Sequence, residues 1–263
     1  IAGLLALSAN PVLAHRSWII PSTSILSGEN QWVTLGAAIS NNLFFPNHVA
    51  PPLESMAVTG PDGKPVEIKN GKEGEIRTTF DIELTKPGTY KVASVRSMLS
   101  AQWKEGEEVQ RWRGSAADFA KQNLKGKPEL KLFENASRVE TVVTSGEPSK
   151  EVLKPTGKGL ELVFDKNHPN DLFAGEKAAF AFVVNGKPAA KLKVTVVKGD
   201  DRYRNDPGET EVTTDDKGAF EVSFSEPGRY WLNASIETEG GEFEGVPLGH
   251  RVSYTTTFEV LPE

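Results

Sequence analysis

Cysteine is missing from all 263 positions, so no disulfide framework, thiolate metal centre or redox pair is available. A basic surface is missing as well. Thirty Lys and Arg stand against 36 Asp and Glu, for a net charge of -6, and no Lys/Arg cluster of the kind a phosphate backbone requires is present, which argues against a nucleic-acid partner. Apolar runs are short. None reaches the about 20 residues needed to cross a bilayer, so no transmembrane segment is expected in the mature chain. The local signatures of catalysis are absent too: there is no G-x-S-x-G elbow, no phosphate-cradling G-x-x-x-x-G-K-[ST], no G-x-G-x-x-G after a strand and no H-E-x-x-H. Without a thiol, only Ser/His or carboxylate catalysis is left, and no local motif supports either. The chain is expected not to be an enzyme.

What is present reads as turn-rich and globular. Hydrophobic residues make up 38% of the chain and charged residues 25%, with 24 Gly and 17 Pro, which is neither a disordered nor a fibrous composition. The length suits two domains of ordinary size. Residues 1–14 contain Leu4, Leu5, Ala6 and Leu7 followed by Val12, Leu13 and Ala14, an apolar region closing on a small-residue cleavage signal. This reads as the C-terminal part of a signal peptide, with further residues upstream of Ile1, and it predicts export to a periplasm with a mature chain starting at His15.

Short apolar runs separated by Gly, Pro, Asn and Asp then recur at the 8 to 12 residue spacing of a β-sandwich. Residues 41–52, NNLFFPNHVAPP, carry three prolines and no periodicity and read as a packed loop. From 98 to 135 the pattern breaks. This stretch holds Trp103, Trp112 and the helical candidate SAADFAKQN, with Ser115 as its N-cap, and it reads as an insertion. Residues 146–159 have linker composition, and seven strand candidates follow. The predicted fold is all-β: two tandem immunoglobulin/transthyretin-like β-sandwich domains, 15–145 and 160–263, the first with a partly helical insertion at about 98–135. An internal echo supports the pairing. TFDIELTKPGTY at 79–90 aligns without gaps on AFEVSFSEPGRY at 219–230; each has strand alternation, a Pro-Gly turn and a Tyr whose hydroxyl is placed to bond backbone.

The order LKPTGKGLELV, HPNDLFAGE, VNGKPAAKLKVTVVKGDDRYR, TTDDKGAFEVSFSEPGRYWL, together with Ala14, His15, Trp18 and Pro21 at the expected mature start, resembles a bacterial exported family catalogued as a domain of unknown function and often labelled a nickel or cobalt transport periplasmic (NikM-like) component. The resemblance implies an envelope β-sandwich protein tied to uptake of a metal or metal chelate, with an envelope transporter or TonB-linked uptake system as partner. It carries over no established set of functional residues.

Four histidines are the candidate ligands: 15, 48, 168 and 250. A processed His15 offers an α-amino group and an imidazole on one residue, and a second histidine completes a tetragonal three-nitrogen site of the kind copper favours, nickel being the other candidate. His48 and His250 are the possible completers, so the candidate metal residues are His15, His48 and His250. The plain alternative is that His15 only marks the cleavage point. His168, in Asn-His-Pro-Asn-Asp, reads as a structural turn residue. The acids Asp200, Asp201, Asp206 and Glu209 lack a calcium-loop pattern, and Asp215-Asp216-Lys217-Gly218 reads as a hairpin turn with Gly at positive φ. The expected function is metal or metal-chelate binding without catalysis. The alternative is a metal-free protein- or carbohydrate-interaction module using loop 41–52 and the Trp103/Trp112 region.

Overall fold

The computed structural model describes residues 15–263 except 29 and 205; the expected signal peptide lies outside the described residues. Regular structure is nearly all strand, in the order β1 (Arg16–Pro21), β2 (Ile25–Leu26), β3 (Gln31–Ser40), β4 (Met56–Thr59), β5 (Lys69–Glu73), β6 (Thr78–Leu84), β7 (Gly88–Glu105), β8 (Glu108–Gly114), α1 (Ala116–Phe119), β9 (Lys131–Ser145), β10 (Leu160–Val163), β11 (Lys177–Val184), β12 (Lys187–Pro188), β13 (Lys193–Lys198), β14 (Thr210–Thr213), β15 (Ala219–Ser223), β16 (Gly228–Phe243) and β17 (Val246–Val260). Alternation decides which face turns inward. Along β6 the residues Thr78, Phe80, Ile82 and Leu84 are buried and those between them are not, the period of two that a half-buried strand imposes.

Two cores share one long sheet. A four-stranded sheet of order β1-β3-β6-β5 covers the β4-β7-β9 part of a nine-stranded sheet whose main path runs β14-β13-β16-β17-β9-β7-β4, with β2 paired to β9 and β8 to β7, and between them lie Ile19, Val33, Leu35, Phe80, Ile82 and Val92. A third sheet, β10 and β15 flanking β11, covers the other end over Phe180, Phe182, Phe220, Leu232, Tyr254 and Phe258. The junction is a parallel pairing of β17 with β9 from Leu248↔Leu132 to Thr257↔Thr141. The stretch with linker composition is packed: Val152 and Leu153 are buried, and the Glu161 carboxylate accepts from the backbone N–H groups of Thr156, Gly157 and Lys158 at 2.8, 2.7 and 3.2 Å.

The echo at 79–90 and 219–230 has matching geometry. Gly88 and Gly228 sit at φ 124° and 136°, and each following tyrosine turns its hydroxyl back onto the backbone. Tyr90 Oη donates to Lys86 O and Tyr230 Oη to Glu226 O, both at 2.8 Å.

The segment 98–135 is mostly strand. β7 and β9 run on past the first core, joined by β8 and by the outer ends of β16 and β17, and a third small cluster of Leu99, Ala101, Phe119, Leu124, Leu132 and Val246 forms there. Its helical part is a single turn, Ala116–Phe119, whose Ser115 side chain accepts from Asp118 N as the sequence predicts. One turn is what a short amphipathic stretch sustains when its job is to press Phe119, 1% exposed, onto the sheet.

Candidate functional site

The N-terminal strand lies where the two halves meet. Trp18, Ala38 and Leu43 pack against Val197 and Trp231, and Trp231 Nε1 donates to Ser17 O at 2.9 Å. Arg16, buried beside the Trp231 ring, forms an ion pair with Glu209, so one residue of the acidic loop locks β1 in place. Nothing in the sequence spacing pointed to that pair.

Loop 41–52 folds back onto the end of β3. Ile39 and Val49 exchange backbone hydrogen bonds of 3.0 and 3.2 Å, Asn47 Oδ1 accepts from Asn41 N at 2.9 Å, and Leu43 is fully buried. Phe44, held at φ 63°, puts its ring edge-on to Trp18 with centroids 5.8 Å apart. A bulky residue in the left-handed region stays there only when its surroundings over-determine it; here the Trp18 contact and the buried Leu43 do so. Trp18 in turn donates to Ser40 Oγ at 2.7 Å, which donates to Asn42 O at 2.6 Å.

This pinned loop carries His48 to His15. Their rings stack face to face, centroids 3.7 Å apart and planes within 2°, and both residues are exposed. Lone pairs on imidazole lie in the ring plane, so stacked rings present nitrogens side by side rather than aimed at one point; with metal–nitrogen distances of about 2.0–2.1 Å, one ring must turn about its χ angles before both bind one ion. Exposure leaves room for that turn. The pair supplies two of the three nitrogens expected of a tetragonal site, and the α-amino group of a processed His15 would be the third.

The remaining candidates lie elsewhere. His250 does not join the pair: on β17 its Nδ1 is 3.0 Å from Glu134 Oε2 on neighbouring β9, and Glu134 Oε1 accepts from Ser97 Oγ at 2.7 Å. Among the described residues, no three His, Asp or Glu side chains converge as a metal cluster. His168 is 7% exposed and sits in a polar seam described below. Asp215 accepts from Lys217 N and Ala219 N, both at 2.8 Å, with Gly218 at φ 78°: the acidic pair is a hairpin turn, and those two N–H groups hold the Asp215 carboxyl below the usual range. Trp103 and Trp112 pack against the third cluster, Trp112 meeting Phe119 edge-on at 5.6 Å, so they do not form a free aromatic patch. A depression of about 470 Å³ over Ala179, Ala181 and Phe220 and one of about 650 Å³ over Phe133, Gly240 and Gly249 contain neither His15 nor His48.

Residues 12–238 match a family model described as Domain of unknown function (DUF4198). The chain belongs to the DUF4198 family. Among curated proteins, none matches it. Similar solved structures include the D0-D1 domain of intimin, 14% identical over 92% of this chain and 97% of that one with a TM-score of 0.23, and a DUF4785 family protein from Legionella pneumophila, 8% identical over 82% of this chain and 50% of that one with a TM-score of 0.25. No helix among the described residues of this DUF4198 protein is long and apolar enough to cross a membrane.

Proposed function

We propose that this DUF4198 protein is an exported periplasmic binding or accessory protein for a transition-metal ion or its chelate, copper or nickel, without catalytic activity of its own. It is read as two tandem immunoglobulin/transthyretin-like domains that serve an envelope transporter or TonB-linked uptake system. The observation that carries this reading is the His15–His48 stack: two exposed imidazoles from separate segments, brought together by a loop that the buried Leu43 and the Asn47 side chain hold in place. Imidazole with a terminal amine suits Cu(II) and Ni(II).

The test is calorimetric titration of protein beginning at His15 with Cu(II) and Ni(II), with EPR of the copper form. One-to-one binding and nitrogen hyperfine structure are expected. His48→Ala is expected to weaken binding at least about tenfold, or about 1.4 kcal/mol. If His15→Ala and an N-terminal Met extension both leave affinity unchanged, the site is wrong.

A further inference from the structure

β8 is an edge strand. It bonds only to β7, from Leu99↔Gly114 to Glu105↔Glu108, and among the described residues none makes a backbone hydrogen bond to its other side. Such an edge leaves a row of N–H and C=O groups open to a further strand. The edge strand β1 differs: its Ser17, Ile19 and Pro21 carbonyls accept from the side chains of Trp231, Thr257 and Arg229. No register shift interrupts the β7–β8 or β7–β9 ladder, so alternation sorts the side chains cleanly. Trp112 turns with Ala101 and Trp103 toward the third cluster. Val109, Arg111 and Arg113 turn the other way and are exposed. Over residues 98–104, 109–113 and 131–135 no acid stands on that face. Lys104 there is matched by Glu129 from outside it, at 2.8 Å, whereas Arg111, Arg113 and Lys131 form no ion pair among the described residues. The hairpin acids Glu105 and Glu108 lie on the opposite face, where Glu105 accepts from Trp103 Nε1 and pairs with Lys127, and Glu107 stands in the connecting turn.

We propose that the outer edge of β8 takes up an extended acidic segment of a partner protein as one more strand. The open backbone groups supply the ladder, and the side chains supply the selection. Arg111 and Arg113 recur at about 7 Å, the two-residue repeat of a strand, so an added strand with acids at alternate positions sets one carboxylate opposite each guanidinium, the arrangement that stabilises a cross-strand pair. The residue between those acids falls on the other face beside the half-buried Trp112 and is apolar. The sequence sought is therefore acid–apolar–acid. Like charges directly opposite destabilise a ladder, so the same arginines turn away the β8 of a second copy. A lipid surface would satisfy the arginines but leave the backbone row open. The edge shares no residue with the His15–His48 pair, so it stands independently of the metal reading.

The test uses the full chain and a fluorescein-labelled peptide, Thr-Glu-Val-Glu-Val-Thr, read by fluorescence polarisation. The comparators are the same peptide with Lys for Glu, the same with Pro for the Val between the acids, and phosphatidylglycerol vesicles. Saturable binding of the acidic peptide with a Kd below about 1 mM is expected, with slower hydrogen exchange at 108–114. The proline peptide, which lacks a ladder donor, is expected to bind at least about tenfold more weakly. Arg111→Glu with Arg113→Glu is expected to lose the acidic peptide and to bind the basic one, and Arg111→Gln with Arg113→Gln to lose the acidic peptide alone. Both arginines are exposed, so thermal melting is expected to stay at the wild-type value in either variant. No binding of the acidic peptide, equal affinity for the proline peptide, or undiminished binding by both arginine variants overturns the proposal. Capture by the vesicles without peptide binding overturns it as well and makes the basic face a lipid contact.

Discussion

The seam around His168 makes a pH-dependent prediction whose sign follows from the geometry. Asn170 N donates to His168 Nδ1 at 3.1 Å, which places the ring proton of the neutral form on Nε2. That nitrogen faces Thr89 Oγ1 at 3.0 Å and Ser149 O at 3.3 Å. Thr89 Oγ1 also accepts from Ser149 N at 3.0 Å and contacts Thr144 Oγ1 at 3.1 Å, and Thr144 donates to Asn170 Oδ1 at 2.8 Å. The donors run in one direction from His168 through Thr89 and Thr144 to Asn170 and back, tying β7, β9 and the segment entering the third sheet. A second proton on the ring would sit on Nδ1 against the N–H of Asn170, costing one hydrogen bond and leaving a buried donor unpaired, about 1–3 kcal/mol.

Burial already depresses the His168 pKa from its ordinary 6.5; the Asp171 charge opposes that shift, as does the bond to Ser149, while Lys150 adds to it. A depressed basic group is neutral in the folded state where the unfolded chain would take up a proton. Its contribution is therefore complete above pH 6.5 and is lost as pH falls from there toward the lower folded value, at about 1.4 kcal/mol per unit of separation. Urea denaturation at intervals from pH 7.5 to 5 is expected to show that fall in wild type. His168→Gln, which does not titrate, is expected to be less stable at pH 7.5 and flatter across the window. Parallel profiles for the two proteins would refute the argument, as would a ring whose NMR titration midpoint lies at or above 6.5.

Three further outcomes are expected. Gly218→Ala places a Cβ 2.3 Å from Phe182 O at φ 78°, so thermal melting should show destabilisation of at least about 1–2 kcal/mol, the left-handed penalty alone. Glu161→Ala strips the acceptor from three backbone N–H groups and the Thr156 hydroxyl; a loss of about 2–4 kcal/mol in chemical denaturation is expected, with faster hydrogen exchange at 156–158. Tyr90→Phe and Tyr230→Phe each remove a hydroxyl that bonds backbone and should cost about 1 kcal/mol apiece, additively in the double variant because the two lie in separate cores.

Several features were legible in the sequence because they depend on neighbours along the chain. Alternation at 78–84 dictates a strand with one buried face, Asp215 to Gly218 dictates a hairpin turn, and Ser115 three residues before Asp118 dictates a capped helical turn; each is a contest among a handful of local dihedrals and hydrogen bonds. The Pro-Gly-x-Tyr echo belongs here as well, since Gly88 and Gly228 need positive φ whatever surrounds them.

Other features came only from the folded molecule. The stretch from 98, expected to break the strand pattern as an insertion, instead continues β7 to Glu105 and lies against the outer end of β17 from Val246, because these outer parts are stabilised by one another and by Phe119, not by their own pattern. The parallel register of β17 on β9 joins residues more than a hundred positions apart, and no local period encodes such a pairing. The same holds for the histidines. The sequence singled out His15 as the anchor and left His48 and His250 as equivalent completers; the fold of loop 41–52 set His48 against His15 and the β9–β17 register gave His250 to Glu134. Residue type determined which side chains are able to hold a metal, and long-range packing alone decided which two of them meet.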